Sequence, residues 1–459
     1  AAEPAWPARV LAALRKFARL ARAALRLGAL STPVMLTAPL GRYERTRDLW
    51  WRYFLWSTHA AGPTAIKLAQ WASSREDRFP KEFCDRFAHL QDDAPAHAWA
   101  DTERALARAL GPDWQRTLDV DPRPVGTGCV AQVHRATLLR DVADGGRAGD
   151  AVAVKVVHPA ARRRVASDLE LLRACARAAE RLAPQTRWFS LAGAADEFAA
   201  TLGAQMDMRL EAKHLERLGE NFRRVRNVRF PAPRNALTSE DVLVEDFVEG
   251  PSMRDFLKRP EGVDDRVRKA LAKIGVDAVC KMIFHDNLLH GDLHPGNILV
   301  VDAETPAVCF LDAGICVELG PPEHRHFVRV LAALMRHDGE GAGRLLIAGR
   351  GGDPGTAAAR GFATDGDWAE AQDRFCACLS AITSRSEEEE FFTMYSEYAT
   401  RIFGEAERCR VALEGYFVST AVAIRVMEGL ANSLDPHAPI GQMALRWIGT
   451  SPYAVAGLI

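Results

Sequence analysis

The chain of 459 residues lacks an excess of charge of either sign: 59 Lys and Arg stand against 60 Asp and Glu, a formal net charge of −1. That balance argues against nucleic acid as a partner held by bulk positive charge. CxxC spacing is also missing. The nine cysteines fall at 84, 129, 175, 280, 309, 316, 376, 378 and 409, so zinc ribbons and thioredoxin-type redox sites have no support. Their odd number and apolar surroundings, as in Val308-Cys309-Phe310, predict reduced, buried residues in a non-oxidising compartment. Long apolar runs are absent. The longest uncharged stretch, Leu27–Gly41, is broken by Pro33 and Pro39 and falls short of the roughly 18 residues of a spanning helix. No internal repeat appears. With 48% apolar and 26% charged residues, the composition excludes global disorder and collagen-like or disulfide-scaffold structure. A chain opening on Ala rather than Met fits a processed form.

What is present falls into four stretches. Residues 1–44 open with a basic amphipathic helix over 8–27. Val10, Leu14, Phe17, Ala21 and Leu25 line one face and Arg9, Lys16, Arg19, Arg22 and Arg26 another. This pattern predicts docking on an anionic membrane surface, with packing on its own domain or a residual targeting segment as the alternatives. Residues 45–118 read as helical, with Trp50, Trp51, Trp56, Trp71 and Trp99 scattered through them. Residues 119–250 begin with β-like alternation and a Gly- and Asp-rich hairpin loop over 140–150, then turn helical over 162–182 and 192–222 before a strand at 242–248. Residues 251–459 are mostly helix, interrupted by short apolar strands at 298–301 and 308–311. Glu387–Glu390 reads as a solvated helix start. A small mixed lobe followed by a larger helical lobe is the expected organisation.

Three motifs carry chemistry. Gly126-Thr-Gly128-Cys-Val-Ala131-Gln-Val133 reads GxGxxAxV. Alone it is weak, because hairpins use glycine for positive φ. Its functional reading is a flap whose backbone N–H groups approach phosphates. Val152-Ala-Val-Lys155 follows. A lysine in an apolar strand needs a partner, and Glu211 is the candidate carboxylate. The strongest signal is His290-Gly-Asp292-Leu-His-Pro-Gly-Asn297, then Asp312-Ala313-Gly314 after a short apolar strand. Asp292 would orient or deprotonate an attacking hydroxyl. Asn297 and Asp312 would offer oxygen donors to Mg²⁺, which shares its ligands with a nucleotide triphosphate. Gly291 stands where protein kinases carry Arg, and no APE segment follows, so a platform for extended peptide substrates is not expected.

In this order the motifs resemble the UbiB-type, aarF-domain-containing atypical kinases. Lys67-Leu-Ala69-Gln70-Trp-Ala-Ser is similar to the family's KxGQ motif, and most to the mitochondrial branch with a KLGQWAS-like sequence. Gln205-Met-Asp207 and Arg209-Leu-Glu211-Ala lie where the family has its ExD and REA elements. The resemblance covers roughly 45–330. It implies an α+β, two-lobed protein-kinase-like fold with an N-terminal helical extension and a helical C-lobe. It implies ATP or ADP and Mg²⁺ as cofactors. It also implies that Lys67 and Gln70 cover the site in place of a peptide substrate. Asp207 is the carboxylate expected to pair with Lys67. Ala69 for Gly and Gln205 for Glu depart from the family pattern and bear on that cover. Ala313 stands for the Phe of DFG.

Two functions follow. The first is an ATP- and Mg²⁺-dependent kinase or ATPase at the mitochondrial inner membrane, supporting coenzyme Q or lipid metabolism and meeting a membrane surface, lipid or quinone. The second is a catalytically silent pseudokinase serving as a structural or assembly subunit of a mitochondrial membrane complex.

Overall fold

A computed structural model describes residues 6–73, 80–87, 96–182, 191–258, 264–302, 304–349, 356–357, 361–385, 395–411 and 413–450. The acidic run at 387–390 lies outside them. The chain opens with helices α1 (Trp6–Leu36), α2 (Glu44–Ala61), α3 (Pro63–Ser73), α4 (Lys81–Phe87) and α5 (Trp99–Leu110). Strands β1 (Leu118–Thr127), β2 (Ala131–Leu138) and β3 (Ala151–Val157) follow. Helices α6 (Pro159–Leu182), α7 (Leu191–Ala204) and α8 (Met208–Phe222) then lead to β4 (Val228–Arg229) and β5 (Val242–Asp246). The C-lobe holds α9 (Met253–Lys258), α10 (Asp265–Lys281), β6 (Leu289–His290), β7 (Ile298–Asp302), β8 (Ala307–Phe310) and β9 (Cys316–Val317). It closes with α11 (Pro321–Met335), α12 (Gly339–Ala348), α13 (Asp365–Arg385), α14 (Tyr395–Arg408), α15 (Gly415–Leu434) and α16 (Ile440–Gly449).

The N-lobe sheet has the order β1-β2-β3-β5 with every pairing antiparallel. Its two faces follow from strand alternation. Val152, Val154, Val156, Val242 and Val244 point to one side and pack with Ala105 and Leu106 of α5 and with Trp114. Ala153, Lys155, Leu243 and Glu245 have the opposite parity and face the other lobe. The C-lobe core centres on the buried Phe284, Phe310, Phe327, Phe375 and Phe403. A third, smaller core belongs to the helices before the sheet: Trp51, Ile66, Ala69 and Phe87 enclose Cys129, which comes from the loop between β1 and β2.

Three details differ from the sequence expectations. The helix expected over 8–27 runs on through Pro33 to Leu36, taking in most of the apolar stretch. Its inward stripe is Ala23, Arg26 and Val34: Arg26 Nη2 reaches both oxygens of buried Asp168 on α6, at 2.6 and 2.7 Å. Arg26 therefore leaves the outward cationic face. The outward face is partly apolar instead. Leu14, Leu25 and Leu36 are exposed and spaced by eleven residues, about three helical turns, so they share one stripe. Second, the helix expected over 192–222 breaks at Gln205–Asp207. Asp207 caps α8 by accepting from Arg209 N at 3.1 Å, a geometry that stops a helix as well as starting one. Third, the cysteines are unpaired and six are buried, but Cys175 is exposed.

Candidate active site

Between the lobes lies a cleft of roughly 370 Å³ lined by Lys67, Gly126, Gly128, Ala131, Val133, Ala153, Lys155, Gln205, Glu211, Glu245, Asn297, Asp312 and their neighbours. Strand β3 delivers Lys155 and helix α8 delivers Glu211. Lys155 Nζ meets Glu211 Oε1 and Oε2 at 2.8 and 3.0 Å and Asp312 Oδ1 at 3.1 Å. Burial works against charge on Lys155, but Asp312, Glu211 and Glu245 outweigh it and push the ammonium's pKa up. Burial lifts the Glu211 carboxyl to about 7 against the pull of Lys155. It opposes ionisation of Asp312 too, yet Lys155 and Lys67 hold that carboxyl well below the usual range.

The 290–297 segment is tied at both ends. Asn287, left-handed at φ 51°, donates from Nδ2 to Leu319 O at 2.6 Å and so links the loop's entry to its exit. His290 Nε2 donates to Leu311 O at 2.9 Å, which leaves Nδ1 to accept from Asp292 N at 3.3 Å. Burial lowers the pKa of His290 and keeps the ring neutral. Asn297 Nδ2 donates to Asp292 O at 3.3 Å, and Asn297 O accepts from Leu311 N at 2.8 Å. Asn297 and Asp312 thus flank the β7–β8 hairpin and open on the same cleft. Asp312 has φ 54°, a left-handed backbone that non-glycine residues adopt sparingly and often at functional sites. Gly291 is required by packing: a Cβ there would sit 2.6 Å from Ile315 Cγ2. That contact is why an arginine does not fit.

The loop between β1 and β2 overhangs this cleft. Neither Gly126 nor Gly128 has a positive φ, so the turn itself does not demand glycine. A Cβ at Gly126 would meet nothing within 4 Å; what the missing side chains leave clear is room for close approach to the backbone. A histidine relay that the motifs did not reveal holds this loop. His158 Nε2 donates to Gly128 O at 2.8 Å. Its Nδ1 must then accept from His97 Nδ1, 2.6 Å away, and His97 Nε2 accepts from Thr102 Oγ1 at 2.8 Å. Beside them Gln132 Nε2 donates to His134 Nε2 at 2.9 Å, and His134 Nδ1 donates to Asp121 O at 2.8 Å. The Gly128 carbonyl fixes the tautomers of His158 and His97, the Asp121 carbonyl fixes that of His134, and burial disfavours charge on all three rings. Burial, then the neighbouring His158, pushes His97 down to about 4.

The expected Lys67–Asp207 pair is not formed. Lys67, on α3, lines the cleft and acts electrostatically on Asp312. Asp207 turns to Arg209 at 2.8 Å, because its carboxylate is committed to the start of α8. Gln205, in the break before α8, is the residue of that segment that reaches the cleft. Gln70 and Asp292 are not among the cleft-lining residues. Ala69, where the family pattern has Gly, packs its methyl against Trp51 and Phe87. Glu245, absent from the expected set, lines the cleft. Strand parity was the signal for it: Glu245 follows Leu243 by two.

The sequence compares with known proteins along most of its length. It is 27% identical to the ABC1 family protein YPL109C, mitochondrial, of Saccharomyces cerevisiae, over 92% of this chain and 73% of that protein. The probable serine/threonine-protein kinase abkC of Dictyostelium discoideum is 25% identical over 92% of this chain and 68% of its own length. The probable protein kinase UbiB of Pseudomonas entomophila is 28% identical over 86% and 71%. Among solved structures, that of Rv3197 with erythromycin from Mycobacterium tuberculosis covers 57% of this chain and 64% of its own at 22% identity, with a TM-score of 0.43. The profile of the ABC1 atypical kinase-like domain matches residues 89–346, a span that holds the glycine loop, the lysine strand, Asn297 and Asp312. The fold is α+β and kinase-like, and the chain belongs to the ABC1 atypical kinase-like family, to which its UbiB resemblance pointed.

Proposed function

We propose that this chain binds ATP with Mg²⁺ and transfers or hydrolyses the terminal phosphoryl group, as a UbiB-type kinase or ATPase supporting coenzyme Q or lipid metabolism at the mitochondrial inner membrane. The observation that carries it is the Lys155–Glu211–Asp312 cluster under a glycine loop that side chains leave open. Lys155 holds the α- and β-phosphates and Glu211 fixes its direction. The donor set suits Mg²⁺: Asn297 and Asp312 are hard oxygen ligands, too few for a closed cage, as expected of an ion that shares its shell with phosphate and water. Asn297 and Asp312 would hold the ion, which would supply neutralising charge to the transferred group. Asp292, beside Asn297, accepts the proton of the attacking hydroxyl or water. Lys67 from the extension and Gln205 from the break before α8 both line the cleft and favour a small acceptor over a peptide.

Two relatives carry "mitochondrial" in their names, which supports that location here. No helix among the described residues is long and apolar enough to cross a membrane. Support for surface docking comes from α1, where exposed Leu14, Phe17, Leu25 and Leu36 stand beside exposed Arg19 and Arg22. Leu25→Glu with Leu36→Glu should abolish flotation with vesicles containing anionic lipid; undiminished flotation defeats the membrane reading.

The deciding experiment is a thermal shift with Mg-ATP together with phosphate release. At 100 times Kd, ATP stabilises by about 2.7 kcal/mol, and Asp312→Asn should lose the Mg²⁺-dependent part while remaining folded, since Asn tolerates the left-handed backbone. No shift in the wild type leaves the silent assembly-subunit reading. A shift with no turnover for any acceptor restricts the chain to nucleotide binding.

A further inference from the structure

We propose that Glu245 is the base-reading residue of the cleft and selects a 6-aminopurine nucleotide. The inference rests on the nucleotide reading above and assigns the residue that reads the base.

Glu245 is 8% exposed, lines the cleft, and its Oε2 is shut off from solvent with no hydrogen-bond partner. A buried carboxyl oxygen without a hydrogen-bond partner is costly, and the part Glu245 plays in the described fold is its field on Lys155. The β3–β5 register fixes its place. Lys155 pairs with Leu243 and Ala153 pairs with Glu245, so Glu245 stands one pleat repeat, roughly 7 Å, from the phosphate-holding lysine toward Phe247 and Val248. A triphosphate on Lys155 therefore puts its base against Ala153, between the apolar side chains of Val133 and Leu311, with one edge turned to Glu245.

The chemistry of that edge follows from the carboxyl's state. Burial, with Glu211 next, pushes Glu245 up to about 8, so at neutral pH it is mostly the acid: one carbonyl acceptor and one hydroxyl donor. Adenine offers the complement on adjacent atoms, an exocyclic N–H donor and the N7 acceptor. Guanine offers two acceptors there, O6 and N7, and leaves the carbonyl oxygen unpaired. A buried polar group built for a hydrogen bond rejects an analogue that lacks its partner far more strongly than an apolar pocket does.

The test measures Mg²⁺-dependent binding of ATP, GTP, purine riboside triphosphate (no 6-amino group) and 7-deaza-ATP (no N7) to the full chain, in wild type, Glu245→Gln and Glu245→Leu. Expected is a preference for ATP over each of the other three of about tenfold or more in the wild type. Glu245→Gln, which keeps one donor and one acceptor, should retain it. Glu245→Leu should bind all four within about threefold and unfold at a temperature no lower than the wild type without ligand, because an unpartnered carboxyl has been removed. Equal affinity of the wild type for ATP and purine riboside triphosphate, or a preference for GTP, overturns the role of Glu245 and leaves the nucleotide site standing. Binding of none of the four by the wild type overturns the nucleotide reading itself, and base reading with it. If Glu245→Leu does not fold, loss of the preference in Glu245→Gln still refutes the donor–acceptor match.

Discussion

Two sites place a cation against buried carboxylates, and they are built differently. Between α1 and α6, Arg26 meets one carboxylate, Asp168, and occupies both of its oxygens. The count is even, one cation to one carboxylate, although Arg26 Nε is buried without a hydrogen-bond partner. In the cleft, Lys155 faces Glu211 and Asp312 directly and Glu245 through the field, with Lys67 as the other cation acting on Asp312. Carboxylates outnumber the cations, one oxygen has no partner, and open volume adjoins all of them. A pair that only joins two helices balances its charge within its own members. A cluster left unbalanced beside a cavity is completed by something that enters.

The largest expected effect comes from removing the cleft's cation. Lys155→Met should abolish the Mg-ATP thermal shift and cost about 3–5 kcal/mol in denaturant titration, since it strands Glu211 and Glu245 in the interior. The loss should be smaller at pH 6 than at pH 8: without the cation both carboxyls hold their protons in the folded state, and the unfolded chain's tendency to release them grows with pH. Next is Arg26→Met, which strands Asp168 and should cost about 2–3 kcal/mol with nucleotide affinity unchanged; adding Asp168→Leu should recover most of it. A nucleotide effect from Arg26→Met would erase the contrast between the two sites. The third effect is a slope rather than a single loss. Glu245 has its folded pKa raised from 4.5 to about 8, so the folded state holds its proton longer. The stability this confers is complete below pH 4.5 and is lost as pH rises through about 8. Glu211, Lys155, Asp312 and Asp246 surround it. Unfolding without ligand should therefore become easier from pH 5 to 8 by at most about 1.4 kcal/mol per pH unit from this group, and Glu245→Gln should flatten the profile.

The parts legible in the sequence were those fixed by spacing along one segment. The order of glycine loop, lysine strand, 290–297 loop and Asp312 announced both fold and cleft. The Lys155–Glu211 contact followed because an apolar strand leaves a lysine few alternatives. What stayed hidden depended on which way a helix turns. Periodicity found α1 but not its contact stripe, because Ala23, Arg26 and Val34 compete with a more apolar stripe that faces out. The break at Gln205–Asp207 was masked by helical residues on both sides, and only the capping geometry of Asp207 separates α7 from α8. Glu245 belongs to no motif, and within the expected 242–248 strand it adjoins Asp246, so sequence alone does not say which of the two carboxylates turns to the cleft. The histidine relay joins residues 97, 102, 132, 134 and 158, and no local pattern announces such a set.

The loop over the cleft is anchored from behind at two points. The Cys129 side chain sits in the aromatic core of the helices that precede the sheet, and the Gly128 carbonyl is held by His158. Lifting the loop means withdrawing that sulfur from Trp51 and Phe87 and breaking the relay's last bond. Entry and departure of a ligand are then gated by how fast this extension breathes rather than by how tightly the phosphates are held. A chain loosened at Trp51 would exchange its ligand faster at nearly the same affinity, with association and dissociation rates rising together.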